Sequence, residues 1–178
     1  MEANLSYFHF ICTIASFLTI SMSLILVFVK SKENRANLYL GLLLFFYSLF
    51  FIPGLLDSIE LLDDFPHFVR LNFLSGASVG PLTLLYCKSS IHRNPLNIRE
   101  KIAHGVPFVL AFLYHIPTLL KSGQEKMEIY HTTIYMGEIP ENHYVVLALT
   151  TLTILYTIFS IFSVQKYLFR KSKQYSKK

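Results

Sequence analysis

With 178 residues, 53% of them hydrophobic and 15% charged, and a mean hydropathy of +0.45, the chain is too apolar for a soluble domain, which carries about a quarter charged residues. Apolar stretches and short loops use up its length, which leaves no room for a soluble catalytic domain. A net charge of +5 suggests nucleic acid in a soluble protein; here the position of the charges matters more than their sum.

Uncharged stretches at 3–29, 36–56, 71–87, 102–120 and 142–165 predict five membrane spans at about 5–29, 37–56, 70–88, 102–120 and 143–166. A crossing takes about 20 residues of helix, or fewer where flanking Lys or Arg snorkels to the headgroups. Arg70 and Lys88 flank the third and shortest stretch. The expected fold class is all-α: a polytopic membrane helical bundle of five transmembrane helices over 1–165, then a basic cytoplasmic tail at 166–178.

The first span carries Thr13, Ser16, Thr19, Ser21 and Ser23, hydroxyls able to bond back to their own helix or across to a neighbour. Its apolar run is too long, and its start too poor in basic residues, for a cleaved signal peptide. Pro53-Gly54 predicts that the second helix ends or kinks near the outer surface. Residues 57–70 read as an acidic outer loop with apolar residues spaced like a short interfacial helix. In the third span Gly76 and Gly80 sit four apart and permit close helix packing, read as internal ahead of a homo-oligomer contact. Pro81 removes a hydrogen bond to the Ala77 carbonyl and predicts a hinge. Asn97 to Glu100 reads as a capping box opening the fourth span. Pro107 and Pro117 predict kinks or fraying near both of its ends. Residues 121–143 read as the longest outer loop, with Tyr130, His131, Thr132, Thr133 and Tyr135 as candidate sensing residues. On the fifth span Thr150, Thr153, Thr157 and Ser160 form one polar stripe, suited to interhelix contact or to lining a small cavity.

Placing the first loop, 30–37, in the cytoplasm leaves only Arg70, Lys121 and Lys126 of the 16 Lys and Arg residues outside. It also leaves all 11 acidic residues outside except Glu33 and Glu100. Short loops are the regime in which Lys/Arg bias sets orientation, so the expected topology is N-terminus out and C-terminus in. Cys12 and Cys87 then lie near opposite surfaces, far beyond the roughly 7 Å that a disulfide spans.

Catalytic signatures are missing: there is no His-Glu-x-x-His, Gly-x-Ser-x-Gly or phosphate loop, so no enzyme and no cofactor is expected. No Asp or Glu falls inside a span, which counts against an ion-coupled pump. His9, His115, His131 and His143 lie toward the outer face with no metal-ligand spacing. His104 sits near the inner start of span four and reads as a partner for a freed carbonyl or a neighbouring polar side chain. The tail's lysines suit anchoring or contact with anionic lipid.

Three stretches together, Gly80-Pro81-Leu-Thr-Leu-Leu-Tyr86-Cys-Lys88-Ser89, His104-Gly-Val-Pro107-Phe108 and Tyr167-Leu-Phe-Arg170-Lys171, resemble the N-terminal multi-span region of membrane-bound AraC-type transcriptional regulators of Bacteroidetes-like bacteria. The likeness covers about residues 38–171. It implies a multi-pass sensor in the bacterial inner (cytoplasmic) membrane, an unknown extracytoplasmic ligand, and transcription regulation through further spans and a cytoplasmic helix-turn-helix domain. This chain stops after five expected spans, so DNA contact would come only through a downstream domain. The favoured expectation is a sensory, signal-transducing membrane domain, with Gly76, Gly80, Pro81, His104 and Pro107 as hinge and packing residues. The alternatives are a small carrier or channel subunit for an uncharged solute, and an assembly factor without a ligand.

Overall fold

The computed structural model describes residues 2–28, 35–69, 71–91, 97–136 and 140–175. Among them the regular elements are all helical: α1 (Glu2–Phe28), α2 (Arg35–Ser58), α3 (Leu71–Ile91), α4 (Ile98–Leu119), α5 (Gly123–Met136) and α6 (Pro140–Tyr175), with a 3-10 turn at Pro66–Phe68. Three are long and apolar enough to cross a bilayer: Ala36–Asp57, Ile98–Leu119 and His143–Lys173. In α1 the described apolar part is the shorter Thr13–Phe28. The 21 residues of α3 reach about 32 Å at 1.5 Å each, enough for a hydrocarbon core of about 30 Å. Its composition is less apolar because of where it sits.

α3 is the hub, and α2, α4 and α6 all pack on it, while α1 packs on α2. Small residues make this possible. Ser75, Ala77, Ser78 and Gly80 are all buried, and at Gly80 the α6 backbone comes close, 3.3 Å from where a Cβ would stand. Two conditions favour such packing, close van der Waals fit and satisfied polar groups. The hydroxyls of α3 meet the second condition locally. Ser75, Ser78 and Thr83 donate to the carbonyls of Leu71, Leu74 and Val79 at 3.2, 2.8 and 2.8 Å.

The α1–α2 seam uses both modes open to its hydroxyls. Thr19 donates back to the Ala15 carbonyl at 2.7 Å. Ser23 reaches across, donating to the Gly41 carbonyl at 2.8 Å in a buried contact. A Cβ on Gly41 would stand 2.7 Å from Val27 Cγ2 and 3.3 Å from the Ser23 carbonyl, so a side chain there would require α1 or Val27 to shift. Ser16 is buried with no hydrogen-bond partner among the described residues.

Several expected boundaries move. α2 runs through Pro53 to Ser58 instead of ending at Pro53-Gly54. One proline costs one ladder bond, which transmembrane helices tolerate. The helix stops five residues later at a Schellman cap. Glu60 adopts φ 57°, Leu61 N–H donates to the Leu56 carbonyl at 2.9 Å, and Glu60 N–H donates to Asp57 at 3.2 Å. The loop after it is not a regular interfacial helix; it is a run of turns that buries Leu62 and Val69 around the 3-10 turn. α4 continues through both Pro107 and Pro117. The expected outer loop is largely the helix α5. The basic tail continues α6 as far as Tyr175. The expected loop residues 30–34 and 92–96 lie outside the described residues.

Candidate functional site

The polar groups gather in two places among the described residues: where the C-terminal end of α3 meets the start of α4 and the middle of α6, and a cap formed by α5 and the 3-10 turn at the opposite end. The first group begins with Asn97, whose side chain accepts from Arg99 N–H at 3.3 Å and starts α4. Glu100 does not close a capping box with it. Glu100 turns to α3, where its carboxylate lies 3.7 Å from Lys88 Nζ. One turn further along α4, His104 Nδ1 meets the Tyr156 hydroxyl of α6 at 3.2 Å, the two rings edge to face at 5.6 Å.

Gly80 is why Tyr156 is within reach. A Cβ there would lie 3.0 Å from Tyr156 Cβ and 3.3 Å from Thr153 Cα, so the bare glycine lets α6 lie directly on α3. At Gly76 the same test gives an ordinary 3.6 Å contact with Leu149 Cδ1. Further in, Ser160 of α6 meets the Cys87 thiol. α3 and α6 therefore run parallel and keep register from Gly76–Leu149 through Gly80–Tyr156 to Cys87–Ser160. α4 is tied to the rest by aromatic contacts: Phe73 of α3 stacks on His115 at 5.1 Å, and Phe46 of α2 meets Phe108 edge-on at 5.4 Å.

Three clefts result. One of about 470 Å³ lies between α3 and α6, lined by Leu84, Lys88, His104, Leu152, Leu155, Tyr156, Phe159 and Ser163. A smaller one of about 200 Å³ lies under Pro81 and shares His104, with Lys101 and Phe108. The third, about 420 Å³, is lined by Gly76, Thr150, Thr153 and apolar side chains from α2, α3 and α6.

The hydroxyl stripe of α6 does not converge on one cavity. Thr153, Thr157 and Ser160 donate back to Leu149, Thr153 and Tyr156 carbonyls at 2.9, 2.8 and 2.8 Å. Thr153 also lies 3.5 Å from the Gly76 carbonyl across the seam. Thr150 and Thr157 are exposed, and Ser160 is buried. Pro81 is buried inside a continuous α3, and Pro107 is half-buried inside α4.

The cap formed by α5 and the 3-10 turn was largely missed by sequence reasoning. Ser122-Gly-Gln-Glu125 is a complete capping box: Glu125 Oε2 accepts from Ser122 N–H at 2.9 Å and from its hydroxyl at 2.7 Å, while Glu125 N–H donates to Ser122 Oγ at 3.3 Å. These donors hold the Glu125 carboxyl below its usual range. α5 then docks on the 3-10 turn, where a Cβ on Gly123 would come within 2.7 Å of Pro66 Cγ. Lys126, only 2% exposed, fastens the joint: its Nζ donates to the Leu119 carbonyl at 2.8 Å and lies 2.9 Å from His67 Nδ1. A cation at the last carbonyls of α4 also suits that helix's dipole.

Of the candidate sensing residues, Tyr130 and His131 stand edge to face at 5.8 Å, and His131 Nε2 lies 3.8 Å from Asp63. The side chains of Thr133 and Tyr135, like those of His9 and Cys12, lie outside the described part. His115 is buried and pairs with the Ala111 carbonyl at 2.7 Å. His143 is exposed. Among the described residues no three His, Cys, Asp or Glu side chains come close enough to hold a metal. The first group links α4 to α6 through the His104–Tyr156 contact. No protein-family model, curated protein or solved structure matches the chain.

Proposed function

We propose that the chain is the sensory, signal-transducing membrane part of a bacterial regulator of the membrane-bound AraC type, set in the cytoplasmic membrane by five helices with its N-terminus outside. α1 and α3 are the two further crossings; α3 is spared full apolarity because protein surrounds it. The placement of basic residues on the side of the α6 terminus supports the orientation.

The observation that carries the reading is α6. At 36 residues it is about 54 Å long, roughly 24 Å more than a hydrocarbon core. Its inner end keeps helical pairing, with Lys173 Nζ 4.5 Å from the Phe169 ring centre. It leans mainly on α3 and is linked to α4 through His104–Tyr156. Residues 137–139 alone separate it in sequence from α5. A displacement of the outer cap would thus reach a stiff rod held on one side and pass to the cytoplasm. DNA contact would belong to a domain beyond these residues.

The carrier alternative has the 420 Å³ cleft in its favour, but among the described residues its lining is apolar apart from the Thr150 and Thr153 hydroxyls. To separate the two, one to four alanines are inserted after Lys166 in the chain joined to a helix-turn-helix reporter domain; each inserted residue rotates the downstream segment by about 100°. Output that varies with helical phase supports the sensor. Output indifferent to phase, together with liposome flux of an uncharged solute that Thr153→Trp blocks, would replace it with the carrier.

A further inference from the structure

The cleft between α3 and α6 is graded. Leu84, Leu152 and Leu155 line its apolar part; Lys88, His104 and Ser163 line the part nearer the inner helix ends. Leu155 and Phe159 of its lining are exposed, on the face that the five-span reading turns toward lipid. Among the described residues the one ion pair of Lys88 is with Glu100, and at 3.7 Å it is longer than a charge-assisted hydrogen bond. An ammonium carries three donors, so Lys88 has capacity left at the mouth of an apolar groove. Lys101 lines the adjoining cleft on the other side of His104. Counting both clefts that His104 joins, two lysines stand against one carboxylate at this end of the helices.

We infer that this cleft binds one anionic phospholipid of the inner leaflet, an acyl chain lying along Leu84, Leu152 and Leu155 and the phosphodiester meeting Lys88. A chain-bearing ligand fits better than a soluble anion because the groove is reached from the bilayer and most of its lining is apolar. The about 470 Å³ volume falls in the range of small-molecule sites. The inner-leaflet assignment rests on the topology proposed above. Since the lipid would touch both α3 and α6, its presence would strengthen the hold on the output helix.

The test uses the full chain in detergent with phosphatidylglycerol, phosphatidylcholine or sn-glycerol 1-phosphate, read by native mass spectrometry and by the shift in melting temperature. The expected result is one retained phosphatidylglycerol, preferred over phosphatidylcholine by about fivefold, as one interfacial lysine supplies. Glycerol phosphate, without chains, should neither bind nor stabilise; if it binds as well, the site is an anion site and the lipid assignment fails. Lys88→Gln should abolish the preference, and Glu100→Gln, which frees Lys88, should increase it. Lys173→Gln, far along α6, should leave it unchanged. An unaltered preference in both Lys88→Gln and Glu100→Gln, or an equal loss in Lys173→Gln, overturns the proposal. A Cys at Ser90 that labels from outside the cell would defeat the topology and the leaflet assignment, while leaving the detergent result to judge the groove itself.

Discussion

Gly76 and Gly80 are alike in sequence and differ in what a methyl group would meet. At Gly80 the added carbon lands 3.0 Å from Tyr156 Cβ and 3.3 Å from the Thr153 backbone. Neither atom can swing away as a side-chain tip can, so α3 and α6 must part by some tenths of an ångström. Overpacking of this kind costs about 1–3 kcal/mol. Against it stands the gain of alanine over glycine inside a helix, about 0.5–1 kcal/mol. Taking the difference, Gly80→Ala should destabilise the bundle by roughly 0–2.5 kcal/mol. Gly76→Ala meets only an ordinary 3.6 Å contact, keeps the helix gain, and should be neutral to slightly stabilising. The assay is equilibrium unfolding in mixed micelles, with His104 followed by NMR, because moving Tyr156 should also disturb its 3.2 Å hydrogen bond. Equal effects of the two substitutions, or a Gly80→Ala protein as stable as wild type with His104 unchanged, would refute the close α3–α6 seam.

Other consequences can be checked in the same way. Ser23→Ala should cost about 0.6–2 kcal/mol by deleting the bond to the Gly41 carbonyl, whereas Ser16→Ala, which removes a buried hydroxyl without a partner, should cost nothing or stabilise; unfolding free energies decide. Glu60→Gly should stabilise the end of α2, by up to about 1–2 kcal/mol, because glycine takes the left-handed φ without strain; slower amide exchange at Leu61 is the readout. Glu125 has a folded pKa below its unfolded value, so its contribution to α5 is present at neutral pH and is lost as pH falls below about 4.3 and through the folded pKa. Ser122→Ala should move the Glu125 titration up toward that ordinary value, and an unmoved carboxyl resonance would contradict the capping box.

The helices were legible because long apolar stretches have few ways to exist other than as helices in lipid or in a core. Asn97 was legible as a cap because its effect is local. The interhelix pairs were not, since nothing in spacing joins His104 to Tyr156, 52 residues away, or Ser23 to Gly41, 18 away. The spacing of Gly76 and Gly80 pointed to close packing, but it could not say that Gly80 makes the tighter contact. α5 was missed for a different reason. It is too polar to stand out by apolarity, and its signal, Ser122-x-x-Glu125, lay in a stretch already taken for a loop. Lys126 was counted as a surface charge, as most lysines are; its burial depends on the α4 C-terminus and His67 meeting at one point. Of the two outcomes expected at Pro53-Gly54, an end or a kink, the end does not occur; α2 is closed by the Schellman cap at Glu60.

The central claim is a five-span bundle with its outer cap and its inner groove on opposite sides of one membrane. Cys12 and Cys87 are first replaced by serine, and single cysteines are placed at exposed Asp64, Gln124, Ser90 and Lys166. Gln124 is chosen over Gly123, whose contact with Pro66 a side chain would break. Intact cells are treated with a membrane-impermeant thiol reagent, then lysed and treated again. Asp64→Cys and Gln124→Cys should label in intact cells, and Ser90→Cys and Lys166→Cys only after lysis. Labelling of the first and last pairs from the same side, or in the reverse order, would contradict the five-span arrangement.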